Sequence, residues 1–458
     1  MKKRKLLAIL IPAIFLAPLI NAQQNMLLYG LDEAGQSTLS NPAGFTEHRI
    51  TIGLPVVSGF TSELAISSFS LNDLLEERTE GDSIDLKIDR VAGLLNPENY
   101  SSVTFKNDLL FGGIRLNQGY LSFGAYSNFE LNMHYPGDLV RMIWKGNSQF
   151  YDQTLDFDKI NIHLNHYLAY HVGYSHEINE KLRVGARIKY LNGLANISFE
   201  RFMMRLKQSS DPADYNRFHF RTDITVNTSG MESLENLKPG AYDFSTYLSG
   251  KSNPGYALDL GIDYKLNEKL SLSASVVDLG KITWQHDVHN YGSKGEGYFD
   301  GITVYTNNDT VDYYNDFIDS LKTVFNFSEQ IESYSTNLPA RYALSGNYRL
   351  NQSAEIGIIA AITSYGGFNE PYIRLSYLQR LSNTFLFRGS YGIMNRTYSN
   401  IGLALIANLG PVQFYAAGDN IPGLLFPYDA KMVNFSLGVN IIFQGKSGAR
   451  PDLAANSD

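Results

Sequence analysis

Nine histidines and a set of strand charges are the residues whose types and spacing could do chemistry in this 458-residue chain. Four of the histidines, His163, His166, His171 and His176, fall in one extended stretch, and His286-Asp287-x-His289 forms a second group. Metal binding needs several such donors on one side. Residues an odd number apart face opposite sides of a strand, so His163 and His166 cannot share an ion without a bulge. His286, Asp287 and His289 sit in a loop with weak ligand spacing and read as a solvated turn. Asn307, Asn308, Asp309 and Asp312 loosely suggest a calcium loop, but the central glycine and terminal glutamate of such loops are missing. There is no Gly-x-Ser-x-Gly and no cysteine, so neither a serine-hydrolase elbow nor a thiol nucleophile or thiolate metal site is available. The expectation is a non-enzymatic protein without metal or cofactor.

The strand charges are more informative. Arg183, Arg187, Lys189, Asp259, Asp263, Lys265, Arg341, Arg349, Glu355, Arg374, Arg380 and Arg388 all lie on the polar side of segments whose other side is apolar. The clearest such segment runs from Tyr256 to Val276. Tyr256, Leu258, Leu260, Ile262, Tyr264 and Leu266 alternate with Ala257, Asp259, Gly261, Asp263 and Lys265. After Asn267-Glu268-Lys269 the alternation resumes at Leu270, Leu272, Ala274 and Val276. Two ten-residue alternating runs joined by a short polar turn have the pattern of a membrane β-barrel hairpin, in which lipid covers one face and the lumen wets the other. On the lipid side an Arg or Lys costs about 2 to 4 kcal/mol at the midplane, so the charges must face the lumen. There they either line a selective path or pair with one another and with a plug.

Residues 1–22 read as a secretory signal peptide: Lys2-Lys3-Arg4-Lys5 precede an apolar run from Leu6 to Ile20 and a small-residue exit at Ala22. Pro12 and Pro18, and a run short of about 18 residues, weigh against a retained helical anchor. The formal net charge of -8 includes those four cations, which leaves -12 beyond the leader and argues against nucleic acid as a partner. No later apolar run is long enough for a spanning helix, so any crossing is by strands. The 30 Tyr and 26 Phe suit aromatic girdles at two membrane interfaces.

The hairpin plan recurs along the chain. Ile178-Asn-Glu-Lys-Leu182 nearly coincides with Leu266-Asn-Glu-Lys-Leu270, and related turns stand at Asn117-Gln118-Gly119, Asn351-Gln352 and Ser382-Asn383. Such units cannot bury one face alone, so they close on one another. With the short turns on the periplasmic side and the long loops outside, one outward strand near Ile50, six hairpins and a closing strand from Val433 to Phe443 make fourteen strands. Phe218 to Val226 supplies an extra pair in the alternative of sixteen. The expected class is an all-β, antiparallel, up-and-down transmembrane barrel over 49–443. Its long loops lie near 71–100, 132–160, 207–254 and 285–339, and a polar tail occupies 444–458. Within the last loop Tyr314, Phe317, Ile318 and Leu321 recur at helical spacing and suggest an amphipathic helix at the barrel mouth, suited to capturing a hydrophobic ligand.

Asn41-Pro42-Ala43-Gly44 close behind the leader, the fourteen alternating strands, and hairpins running from Tyr264-Lys-Leu-Asn-Glu-Lys-Leu270 to Val277-Asp278-Leu279-Gly280 together resemble the long-chain fatty-acid transporter (FadL-like) superfamily. The likeness is nearest to its branch in bacteria with type IX secretion. The resemblance implies that 23–48, with Asn41, Pro42, Ala43 and Gly44, folds into the lumen as a hatch. It also implies a Gram-negative outer membrane with its lipid as surroundings. In that superfamily a kinked strand releases substrate sideways; no kink is evident in this sequence. Two functions follow as expectations: passive uptake of hydrophobic small molecules, or an accessory barrel binding protein partners through its loops or the 444–458 tail.

Overall fold

The computed structural model describes residues 26–77, 84–146, 148–209, 217–231, 253–299, 324–365, 367–394 and 397–444. Residues 1–25, residues 445–458 of the tail, and the stretch carrying Tyr314, Phe317, Ile318 and Leu321 lie outside the described residues, as do Asn307, Asn308, Asp309 and Asp312. Fourteen antiparallel strands close into one barrel. The first is interrupted, Ile50–Gly53 and then Phe60–Ile66. It is followed by Asn99–Arg115, Gly119–Tyr135, Asn161–Glu177, Leu182–Gln208, Asn253–Lys265 and Leu270–Trp284. Ala340–Arg349, Ala354–Tyr365, Phe368–Arg380, Phe385–Met394, Thr397–Leu409, Val412–Gly418 and Met432–Phe443 complete the wall. Closure joins the first strand to the last, with Ile50 opposite Phe443 and Phe60 opposite Leu437.

The short turns repeat one device. Asn179, Asn267 and Asn351 each accept two amides with the side-chain oxygen, from the residues two and three positions on, at 2.8 to 2.9 Å. Ser382 Oγ does the same at 3.1 Å. A short polar side chain that mimics the backbone acceptor fixes the reversal and therefore the register of both flanking strands.

Register decides which side meets lipid. Tyr256, Leu260, Ile262, Tyr264, Leu344, Ile358, Leu375 and Leu405 are exposed on the outer face. Asp259, Arg187, Arg374 and Arg388, of opposite parity, are buried. Tyr170, Tyr190 and Tyr256 form part of an aromatic ring around this belt, with centroids 5.6 to 6.3 Å apart. From Tyr256 to Tyr264 the tilted strand climbs about 20 Å, close to the height of an outer-membrane apolar band. An even-numbered closed barrel with this belt is an outer-membrane protein of the Gram-negative type. Leu260 is midway between the two tyrosines. Leu260→Arg is expected to lower stability in phospholipid vesicles by about 2 to 4 kcal/mol, and Leu266→Arg, beside the turn, by about 0 to 1 kcal/mol. Equal urea midpoints for the two variants would contradict this placement of the membrane.

Phe218–Ser229 is not part of the wall, which excludes the sixteen-strand alternative. The strand Leu182–Gln208 overshoots the barrel, and its upper half, from Asn196 to Gln208, pairs with Phe218–Ser229, which in turn pairs with Val288–Phe299. Leu155, Phe157, Leu206 and Phe325 give this loop sheet its own apolar core. Both long insertions thus carry strands where the sequence reads as polar loop.

Candidate functional site

The inner wall holds the N-terminal segment Met26–His48, and it does so largely through cations. Arg388 donates to the carbonyls of Tyr29 (2.7 Å) and Gly30 (3.2 Å). Arg187 donates to the Thr38 carbonyl at 2.6 Å, and Gln413 to that of Glu33 at 2.8 Å. Arg380 pairs with the Glu33 carboxylate at 2.8 Å. Arg183 binds Asp263 at 2.9 Å and lies 3.8 Å from Asp32. The Phe45 ring stacks under two guanidiniums, Arg183 at 4.2 Å and Arg115 at 4.9 Å.

Asn41-Pro42-Ala43-Gly44 is a tight turn against two wall glycines. The Gly44 amide donates to the Asn41 carbonyl and the Ala43 amide to Asn41 Oδ1, both at 3.0 Å. Asn41 Nδ2 reaches Asp263 at 3.3 Å. A Cβ on Gly185 would overlap the Pro42 carbonyl, and one on Gly261 would overlap Asn41 Oδ1. The wall therefore has no side chain where the turn docks. Gly44 itself is not in the left-handed region that its residue type permits; within the segment that conformation belongs to Gly30, at φ 66°.

Above this seat lies a buried charge cluster. Asp259, 0% exposed, accepts from Arg187 at 3.0 Å and from Lys189 at 2.8 Å. Lys189 also binds Asp278 at 2.6 Å, and the Asp278 amide donates to Asp259 at 2.8 Å. Asp278 reaches the lumen through a bulge: Leu258 pairs with Leu279 and Leu260 with Val276, so Val277 and Asp278 together oppose Asp259. Asp278 takes the left-handed conformation, φ 63°, that the bulge demands and that aspartate tolerates better than bulkier residues. Arg341 is buried on the same side of the wall, and Arg374 lies 3.8 Å from Asp419. Glu355, Arg349, Lys265 and Arg380 border a polar cavity of about 450 Å³ at the short-turn end, between the wall and the N-terminal segment. Strand alternation placed the twelve charges on one face. It missed Asp278, whose parity the bulge reverses. It also passed over Lys106 and Asp108, which the same alternation puts on the inner face of Asn99–Arg115.

One seam of the wall is open. Over Gly59–Ile66 and Ser101–Asp108 the first and second strands run opposite each other, tied at both ends. Ile66 pairs with Ser101, the Ser67 amide donates to the Tyr100 carbonyl at 2.8 Å, and the Asp108 amide donates to the Gly59 carbonyl at 2.7 Å. Between these ties residues 60–65 and 102–107 form no ladder pair with each other, although each stretch pairs with its other neighbour. Below the lower tie the first strand bulges over Leu54–Gly59, bonded to the last strand through Leu54 and Val57; Val56 takes φ 70°, and Val56 and Val57 are exposed. The outward strand expected near Ile50 is therefore two pieces joined by a bulge. Pro55 and Gly59 are the residues that break it, since proline cannot donate to a ladder and glycine marks a bulge.

The histidines do not converge. His163 contacts Asn165 at 2.7 Å, His166 contacts Ser127 at 3.1 Å, and His176 contacts Tyr174 at 3.3 Å. In the loop sheet His289 binds Glu329 at 2.6 Å and lies 3.6 Å from Asp287; the Glu329 hydrogen bond raises the imidazole above its ordinary value. Among the described residues no group of three or more His, Asp or Glu is arranged to hold a metal.

A family of unknown function, DUF5723, matches residues 42–419. No curated protein matches. Several solved structures are similar at low identity. The toluene transporter TbuX of Ralstonia pickettii has a TM-score of 0.44 at 9% identity, over 93% of this chain and 99% of that one. The toluene transporter TodX of Pseudomonas putida has 0.41 at 11%, over 93% and 100%. A FadL homologue of Pseudomonas aeruginosa has 0.39 at 10%, over 89% and 94%.

Proposed function

We propose that this chain, which belongs to the DUF5723 family, is a passive outer-membrane channel through which hydrophobic small molecules leave the lumen sideways. The observation that carries the reading is the open seam between Phe60–Ile66 and Asn99–Arg115. In hydrocarbon an unpaired backbone group costs several kcal/mol, so a wall that forgoes ladder pairs at one place, while pairing along its other seams, does so for passage. The alternative exit, straight down, is unsuited to an apolar solute. It is filled by Met26–His48, gripped by Arg183, Arg187, Arg380 and Arg388, and it opens on a cavity bordered by charges. The seam instead opens among Phe60, Leu64, Val56 and Val57, at the lipid. In this reading 26–48, with the Asn41–Gly44 turn, is a hatch that stays seated, and the lumen charges are the fittings of that hatch. No feature of the described residues favours an accessory barrel over a channel.

The chain contains no cysteine, so a disulfide across the seam can be introduced cleanly. The register defined by the two end ties places Glu63 opposite Thr104. The Glu63→Cys/Thr104→Cys double variant, oxidised in cells, is expected to reduce uptake of a fluorescent apolar probe to background, and dithiothreitol to restore it. Wild-type uptake by the oxidised barrel would rule out the sideways route.

A further inference from the structure

We propose that the seam holds a head-group site selective for a neutral hydroxyl, so that the molecules it passes are long-chain alcohols or similar uncharged amphiphiles rather than carboxylates or bare hydrocarbons. This rests on the channel reading above and specifies its substrate.

The site is a small cavity of about 20 Å³ that straddles the seam from within. Gly59 and Thr61 of the first strand and Lys106 and Asp108 of the second supply its wall side, and Gln36 and Leu39 of the N-terminal segment close it from below. That space holds one water-sized group. Lys106 and Asp108 are 5% and 4% exposed. The Lys106 ammonium lies 4.2 Å from the centre of the Tyr126 ring and makes no hydrogen bond or ion pair with any described side chain. The Asp108 carboxylate likewise has no hydrogen-bonded or ion-paired partner among them. Two buried charges of opposite sign thus border one opening without closing on each other, although every other buried ion in this part of the lumen that the cluster uses, Arg187, Lys189, Asp259 and Asp278, is paired at 2.6 to 3.0 Å. A buried ammonium and carboxylate with no direct hydrogen bond to a side chain are costly, and one occupant of the opening would serve both.

Gly59 shows that the arrangement is built. A Cβ there would overlap the Asp108 carboxylate, so glycine at this position lets the carboxylate lie against the first strand, at the gap. A hydroxyl in the opening accepts from Lys106 and donates to Asp108. A carboxylate satisfies Lys106 but meets the like charge of Asp108, and a hydrocarbon satisfies neither. With the hydroxyl so placed, an alkyl chain leads out between residues 60–65 and 102–107 to Phe60, Leu64 and Phe105, which carry the apolar outer face there.

The test is equilibrium partition into the purified full-length barrel from detergent micelles, with retained ligand measured by mass spectrometry. The probes are hexadecan-1-ol, palmitate and hexadecane, matched in chain length. The wild-type barrel is expected to retain the alcohol at least about tenfold better than either competitor. Lys106→Met/Asp108→Asn is expected to erase the preference while still retaining hexadecane. If that double variant does not fold, Gly59→Ala, which displaces the Asp108 carboxylate, serves instead and is expected to shift preference toward palmitate. Equal retention of all three by the wild type, as for a cavity that holds only water, overturns the head-group site and leaves the channel standing. So does palmitate as the best ligand. Retention of no probe at all, with no uptake by cells, overturns both.

Discussion

Asp259→Leu is expected to be among the most destabilising single substitutions in the barrel. Asp259 is fully buried and accepts from Arg187, Lys189 and the Asp278 amide at 2.8 to 3.0 Å. Leucine has nearly the right volume, but it leaves two cations facing a single remaining aspartate, Asp278, which already serves Lys189. Breaking a buried ion pair by removing one partner costs about 3 to 5 kcal/mol, a large part of the 5 to 15 kcal/mol that ordinarily holds a domain together. The loss should appear as a lower urea midpoint in vesicles and as disappearance of the heat-modifiable compact band on gels. Asp259→Asn, which keeps an acceptor oxygen, should lose less. An Asp259→Leu barrel within about 1 kcal/mol of wild type would mean that the cluster is hydrated rather than dry, and that its charges do not depend on one another.

Removing residues 26–44 is expected to have the largest functional effect. The deletion takes away the carbonyls of Tyr29, Gly30, Glu33 and Thr38, the carboxylates of Asp32 and Glu33, and the docked Asn41–Gly44 turn. Arg380 and Arg388 then face an open lumen with their guanidiniums released to water, and Arg187 keeps only its pair with Asp259. In planar bilayers the intact barrel should be electrically quiet, and the deleted one should conduct steadily with a preference for anions. The milder Arg388→Met, which removes two of the bonds to the segment, should produce brief openings instead. A deleted barrel that stays silent would place the barrier to ions in the wall's own side chains. One that prefers cations would show that the released arginines are not what the ions meet.

Much of this architecture is legible in the sequence because a membrane barrel obeys a rule of period two over its whole length. The outer positions Tyr256, Leu260, Ile262 and Tyr264, and the inner positions Asp259 and Asp263, follow from counting alone. The Asn-Glu-Lys turns fix where each count restarts. What the count could not give are the places where it breaks. Asp278 looks like an outward residue until the bulge turns it inward, and nothing local in Val277-Asp278-Leu279-Gly280 distinguishes a bulge from regular strand. The interruption at Leu54–Gly59 did have a local signal in Pro55 and Gly59, but alternation on either side masks it. The loop sheet was hidden for a different reason. Phe218–Ser229 pairs with residues on both sides in sequence, Asn196–Gln208 and Val288–Phe299, and such long-range pairing leaves no periodic trace beyond that of a lone strand. Of the lumen site, the cations were legible as a face. The grip of Arg187 and Arg388 on the N-terminal segment was not, because there they hold backbone oxygens.

That last feature bears on how this chain can vary. Arg388 and Arg187 grip Tyr29, Gly30 and Thr38 by their carbonyls, and Gln413 grips Glu33 in the same way. A carbonyl is identical whichever residue carries it. Where the grip is by carbonyl alone, as at Thr38, a substitution that keeps the backbone path is therefore tolerated, while Glu33, Gln36 and Asn41, held by their side chains, and the wall residues that hold the segment are not free to change. Selection acting on this lumen would preserve the socket and let the wording of what fills it drift at the carbonyl-held positions.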